Sequence, residues 1–364
     1  MRSRVVSAAL LLLVVVIVGE AWGDEGIIVK REAAQRFATL PAGVRFPEGI
    51  TANPSTGDVY VGTFDFGPNP NKLLRFNKEG KLVAQRDFGG TPLLGLEFNP
   101  RDNKVYICNF GASKIQRIAA NFTAATLIED VAVIPGTLDV GAPPNRLVDN
   151  PDGSQDEITF GNAFPAPNAL VFDSAGNLYV SDSFQGAIFK IASAHTCATP
   201  CSVTTVKHDG LLATAGFPPF GANGLALNGD ETKLFVANTG DDRILRMELP
   251  AGPLEVFAES INGADGIAFD GKGRLLVAAN QADEDVMISN EVGSPGRVIA
   301  KLGDFLGIRE DGSVRGLLFP ASLVIVGDDL FVTNLALPLT AATGDEPEED
   351  VTTYTVSRIH IPKP

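Results

Sequence analysis

Four side chains share both a chemistry and a register: Glu48, Asn168, Asn223 and Asp265. Each follows Pro or Ala and precedes a small residue and an apolar run, as in Pro47-Glu48-Gly49-Ile50 and Ala264-Asp265-Gly266-Ile267. Leu94 and Ser322 stand at the matching place in two further segments. If these segments are strands converging on one axis, two carboxylates and two amides meet in a narrow, partly desolvated funnel. There they repel one another or lose hydration unless a cation joins them. An all-oxygen set without His or Cys favours a hard ion, and Ca²⁺ tolerates such loose geometry better than Mg²⁺. The other reading, that Asn, Asp and Gly only cap turns here, accounts for any one position. It does not account for polar residues recurring in one register while Leu94 departs from it.

The elements that would position these residues form a repeat. Each of six units pairs a small-and-apolar segment with a second strand after an Asp/Asn/Gly turn. Examples are Asn168-Ala169-Leu170-Val171-Phe172 with Leu178-Tyr179-Val180-Ser181-Asp182, and Asn223-Gly224-Leu225-Ala226-Leu227 with Leu234-Phe235-Val236-Ala237-Asn238. A third, basic-apolar strand and usually a fourth follow. Four strands per unit with few helical periods predict an all-β, six-bladed β-propeller. Residues 34–40 read as a fourth strand, whereas the last unit ends at its third, Tyr354 to Ile361. The N-terminal strand is therefore expected to complete the last blade and close the ring. In such a blade the loops before strand one and between strands two and three share a face. Four long loops are assigned there: Pro135 to Pro167, Asp209 to Ala222, Gln281 to Gly296 and Leu335 to Thr352. Leu94, Phe164, Phe217 and Phe220 suggest greasy pocket walls. His195 and His360 fall toward the other face, leaving His208 as the histidine nearest the mouth.

One continuous array argues for a single domain over residues 24–364 of the 364-residue chain. Residues 1–23 read as a signal peptide: Arg2 and Arg4 precede an apolar run from Val5 to Val18, with small residues at Ala21 and Gly23. An uncleaved anchor is the alternative. Export to the periplasm or beyond the cell is expected. The formal charge of -15 argues against nucleic acid or anionic membrane as partners; a monomer acting on a small molecule is the expectation. Of three cysteines, Cys108 reads as a small buried hydrophobe. Cys197 and Cys201 would close a short loop if bridged, and two free thiols are the other reading.

The segments Phe46-Pro47-Glu48-Gly49, Pro167-Asn168-Ala169, Ala222-Asn223-Gly224-Leu225-Ala226 and Ala264-Asp265-Gly266-Ile267-Ala268 resemble the metal-ligand motifs of the senescence-marker-protein, gluconolactonase and luciferin-regenerating-enzyme (SGL) family. That family is similar in turn to paraoxonases and diisopropyl fluorophosphatase. The resemblance covers nearly the whole mature chain. It implies a calcium ion on the axis of a six-bladed propeller, held by Glu48, Asn168, Asn223 and Asp265. It also implies hydrolysis of lactones or related esters, with Asp265 as base or nucleophile. Paraoxonase-like histidine pairs and the sugar-binding arginines of gluconolactonases have no counterpart here. The second strands also resemble NHL-type propellers, and strictosidine-synthase-like proteins share the fold. The alternative function is therefore a non-catalytic propeller that binds a ligand or partner with structural calcium.

Overall fold

A computed structural model of the chain describes residues 34–289, 295–340 and 344–362. Its strands form six four-stranded antiparallel sheets, with two further two-stranded hairpins. Blades one to five run in sequence order over residues 47–87, 93–133, 167–208, 222–259 and 264–302, and blade six takes residues 320–360. Burial is greatest in the second strands and falls toward the rim. The second strands Leu178–Asp182 and Leu275–Ala279 are buried throughout, whereas the outermost strand Leu82–Asp87 alternates between half-buried and exposed. The repeat period is thus the sequence expression of one blade, apolar where two neighbouring blades cover it.

Convergence at the axis explains the small residue after each site position. A Cβ on Gly49 would lie 2.1 Å from the carbonyl oxygen of Leu94, and one on Gly224 would lie 2.3 Å from that of Asp265. Inner strands of adjacent blades therefore touch backbone to backbone, a closeness that only a missing side chain permits.

Blade six is closed by the N-terminus. Gln35–Thr39 pairs antiparallel with Thr355–His360, placing Gln35 opposite Arg358 and Thr39 opposite Thr355. The strand expected over 34–40 is therefore the outer strand of the last blade. Residues 1–23, read above as a signal peptide, lie outside the described residues.

Two loop assignments are corrected. Gln281 to Gly296 is not one long loop over the site, because Glu284–Ser289 is the third strand of blade five. Among the described residues of that stretch, only the short 3₁₀ turn Asn280–Ala282 remains on the site face. The apolar alternation of Val286 and Ile288, both buried against blade four, fixes that strand. Conversely, the connection from blade five to blade six carries a hairpin, Phe305–Ile308 with Val314–Gly316, that the blade repeat does not announce. A second hairpin, Arg146–Asp149 with Gln155–Ile158, occupies the loop before blade three. Cys197 and Cys201 are bridged, with Cα atoms 5.6 Å apart, and Cys108 is a buried free thiol.

Candidate metal centre and its pocket

The second residue of each innermost strand faces the axis. Glu48, Leu94, Asn168, Asn223 and Asp265 occupy that place in blades one to five, and all five line one small cavity on the site face. The side chains predicted to meet are thus brought together, each at most 5 % exposed.

Blade six departs from the expected register by one residue. Pro320 pairs with Asn334 as Pro47 pairs with Thr63, so Ala321, not Ser322, takes the position of Glu48. The same offset appears in the backbone bond above it. The N–H of the residue after the second strand reaches the carbonyl two places before the ring position, as Phe64 to Phe46, Asn280 to Gly263, and Leu335 to Phe319. Ser322 instead packs where blades one, two, four and five carry Gly and blade three carries Ala169, its Cα 2.7 Å from a Cβ built on Gly266. Blades two and six therefore give the ring only apolar side chains.

The electrostatics of the ring are unbalanced. Burial pushes the Glu48 carboxyl well up, and the charge of Asp265 adds to the shift. Asp265 is pushed up to about 7 by burial, while hydrogen bonds from Asn280 and Asn223 pull the other way. Glu48 Oε2 and Asp265 Oδ1 are buried without a hydrogen-bond partner. Asn168 donates its amide to Ser183 Oγ at 2.8 Å and Asn223 to Thr239 Oγ1 at 2.9 Å, leaving each carbonyl oxygen as the free end. Four oxygen donors with no protein partner fit a hard cation. Among the described residues no cluster of three or more His, Cys, Asp and Glu offers a rival site.

Above the ring the cavity is apolar. Phe64, Pro218, Phe220 and Phe319 line it together with Leu335, Leu337 and Leu339 from the loop of blade six, and among the described residues no cationic side chain does. Phe64, Phe110, Phe184 and Phe220 pack edge-on or tilted into one wall, with ring centroids 5.3 to 6.4 Å apart. Phe164 joins that wall from the rim, and Phe217 stands 55 % exposed. His208 does not line the pocket. It ends the outer strand Val203–His208 of blade three, where burial lowers its pKa. His195 lies against Gly176 and His360 beside Asp329, at the opposite ends of their blades.

Sequence reasoning missed Ser183, Thr239 and Asn280. Each follows the second strand of its blade, 15 or 16 residues after the ring position, and a polar residue recurring there was the available signal.

Below the ring an axial channel of about 310 Å³ is walled by the innermost strands of all six blades and shares Asn168 and Asn223 with the pocket. Among the described residues Glu97 is the one charged residue lining it, and burial pushes its carboxyl up to about 8.

No family model and no curated protein sequence matches the chain. Solved structures do. A luciferin-regenerating enzyme superposes with a TM-score of 0.59 at 15% identity, covering 88% of this chain and 92% of that one. A calcium-binding protein, regucalcin, from Agrobacterium tumefaciens gives 0.60 at 16%, covering 92% and 95%. A streptogramin B lyase gives 0.51 at 12%, covering 90% and 97%. Identities this low speak for architecture, and proteins of different chemistry share it. In fold, this chain is similar to the luciferin-regenerating-enzyme and regucalcin propellers over nearly all of its described length.

Proposed function

We propose that the protein is an exported, calcium-dependent hydrolase of lactones or related esters. The observation that carries this reading is the ring itself: two buried carboxyls and two amides converge with free oxygens at the floor of an apolar pocket. Glu48, Asn168, Asn223 and Asp265 would hold the ion. Bound calcium supplies positive charge that polarises a carbonyl and stabilises the oxyanion formed on attack.

The chain's own residues do the rest. Asp265 presents an unpartnered Oδ1, while its Oδ2 is fixed by Asn280. Beside a bound cation the carboxyl would be ionised, and in that form it can take a proton from an attacking water, or attack directly. Glu48, Asn168 and Asn223 act as donors only. The phenylalanine and leucine walls exclude water and receive the apolar part of a substrate, which favours hydrophobic lactones over sugar lactones.

The test is a panel of lactones, aryl esters and phosphotriesters given to the calcium-loaded protein beside Asp265→Asn. Turnover lost in a folded variant supports the reading. No turnover of any member by folded, calcium-loaded protein assigns the pocket to binding instead. Export with cleavage near Gly23 is motivated by the Arg-flanked apolar run, and a mass spectrum of secreted or periplasmic protein that retains Met1 counts against the cleavage.

A further inference from the structure

The residue that follows each second strand forms an upper tier beside the ring: Phe64, Phe110, Ser183, Thr239, Asn280 and Leu335. Three are apolar and fall on blades one, two and six. The polar three fall on blades three, four and five, and each bonds the ring residue of its own blade. Asn168 gives its amide to Ser183, Asn223 gives its amide to Thr239, and Asn280 donates Nδ2 to Asp265 Oδ2 at 3.1 Å.

The direction of these bonds is forced. A hydroxyl has one proton. Ser183 Oγ spends it on the carbonyl of Ala222 at 2.7 Å, and Thr239 Oγ1 spends it on that of Ala264, also at 2.7 Å. Each hydroxyl can then only accept from the amide beside it. The amide must turn its NH₂ toward the hydroxyl and its carbonyl oxygen away, since the reverse sets oxygen against oxygen. Both accepting carbonyls belong to the residue just before the next ring donor, so the orientation of one donor is tied to the backbone that carries the next. The side chain of Asn280 is seated by Gly263, because a Cβ there would lie 1.8 Å from Asn280 Oδ1. Glu48 has no such partner: Phe64 stands in the matching place and Oε2 is unsatisfied.

We propose that Ser183, Thr239 and Asn280 are the positioning residues of the metal centre, presetting three of its four oxygen donors, while Glu48 is the donor that only the ion orders. This rests on the calcium reading. Positioning partners of this kind typically change metal affinity by roughly 10- to 100-fold.

The experiment is calcium titration calorimetry on the whole mature protein and on Ser183→Ala, Thr239→Val, Thr239→Ser and Ser181→Ala. Ser181 is the control: its hydroxyl accepts from the N–H of Ala169 and donates to the carbonyl of Asn223 at 2.7 Å, latching the same two blades without touching a ring side chain. Ser183→Ala and Thr239→Val are expected to weaken calcium binding about 10-fold or more. Thr239→Ser should restore it, and Ser181→Ala should lower the melting temperature while leaving affinity within about twofold. Thr239→Val and Ser183→Ala binding as tightly as the unaltered protein overturns the proposal alone, as does an equal loss in Ser181→Ala. No calcium binding by the unaltered protein overturns the calcium reading and this proposal with it. Should Thr239→Val not fold, Ser183→Ala against Ser181→Ala decides the matter.

Discussion

Thr333 in the last blade donates its hydroxyl to the main-chain carbonyl of Glu48 in the first, 2.7 Å away across 285 residues of sequence. Thr333 Oγ1 in turn accepts from the N–H of Ser322 at 3.0 Å. The propeller is therefore closed at two radii: by Thr333 beside the axis and by the strand Gln35–Thr39 at the rim.

Both closures are expected to show in stability. Thr333→Val strands a buried carbonyl and a buried N–H and should cost about 1–3 kcal/mol in denaturant unfolding. Beginning the chain at residue 42 strips a paired strand and uncovers the edge of Thr355–His360, and the loss should reach several kcal/mol. A truncated protein that melts with the full mature chain refutes the second closure.

Calcium should raise the melting temperature in a concentration-dependent way, because a ligand of the folded state alone stabilises it by mass action. The shift should vanish in Glu48→Ala and Asp265→Ala and persist in Ser322→Ala, since Ser322 lies off the ring. Its pH dependence has a definite sign. The folded carboxyl of Asp265 sits at about 7, above the ordinary aspartate value. The calcium-free protein thus loses stability as pH rises from about 4 toward 7, over which the unfolded chain ionises first. Calcium binds the ionised form, so its stabilisation should grow over that same span. Calcium shifts equal at pH 5 and pH 8 would be incompatible with these ligands.

Glu97 makes a separate prediction. Its carboxyl is pushed up to about 8 by burial in the axial channel, with no hydrogen bond or opposite charge to offset the cost. Stability is then lost as pH rises from about 4.5 to 8. Glu97→Gln should melt like the parent at pH 4.5 and above it at pH 8.5. Parallel melting curves for the two proteins across that range would show that the channel leaves Glu97 fully hydrated.

The sequence alone determined the repeat and with it the fold. Alternating apolar strands with a small residue after each ring position are local patterns, and a period repeated six times makes them unambiguous. It also determined which oxygen donors meet, because Glu48, Asn168, Asn223 and Asp265 stand in one register and convergence follows from the architecture. Tertiary structure decided what depends on register at the single-residue level and on contacts between blades. Ala321 rather than Ser322 completes the ring because pairing with Asn334 sets the strand, and a slip of one residue is invisible to composition. The partners Ser183, Thr239 and Asn280 lie 15 or 16 residues from the donors they hold, with a turn between. Only the folded blade shows that an amide and a hydroxyl so separated share one proton's direction.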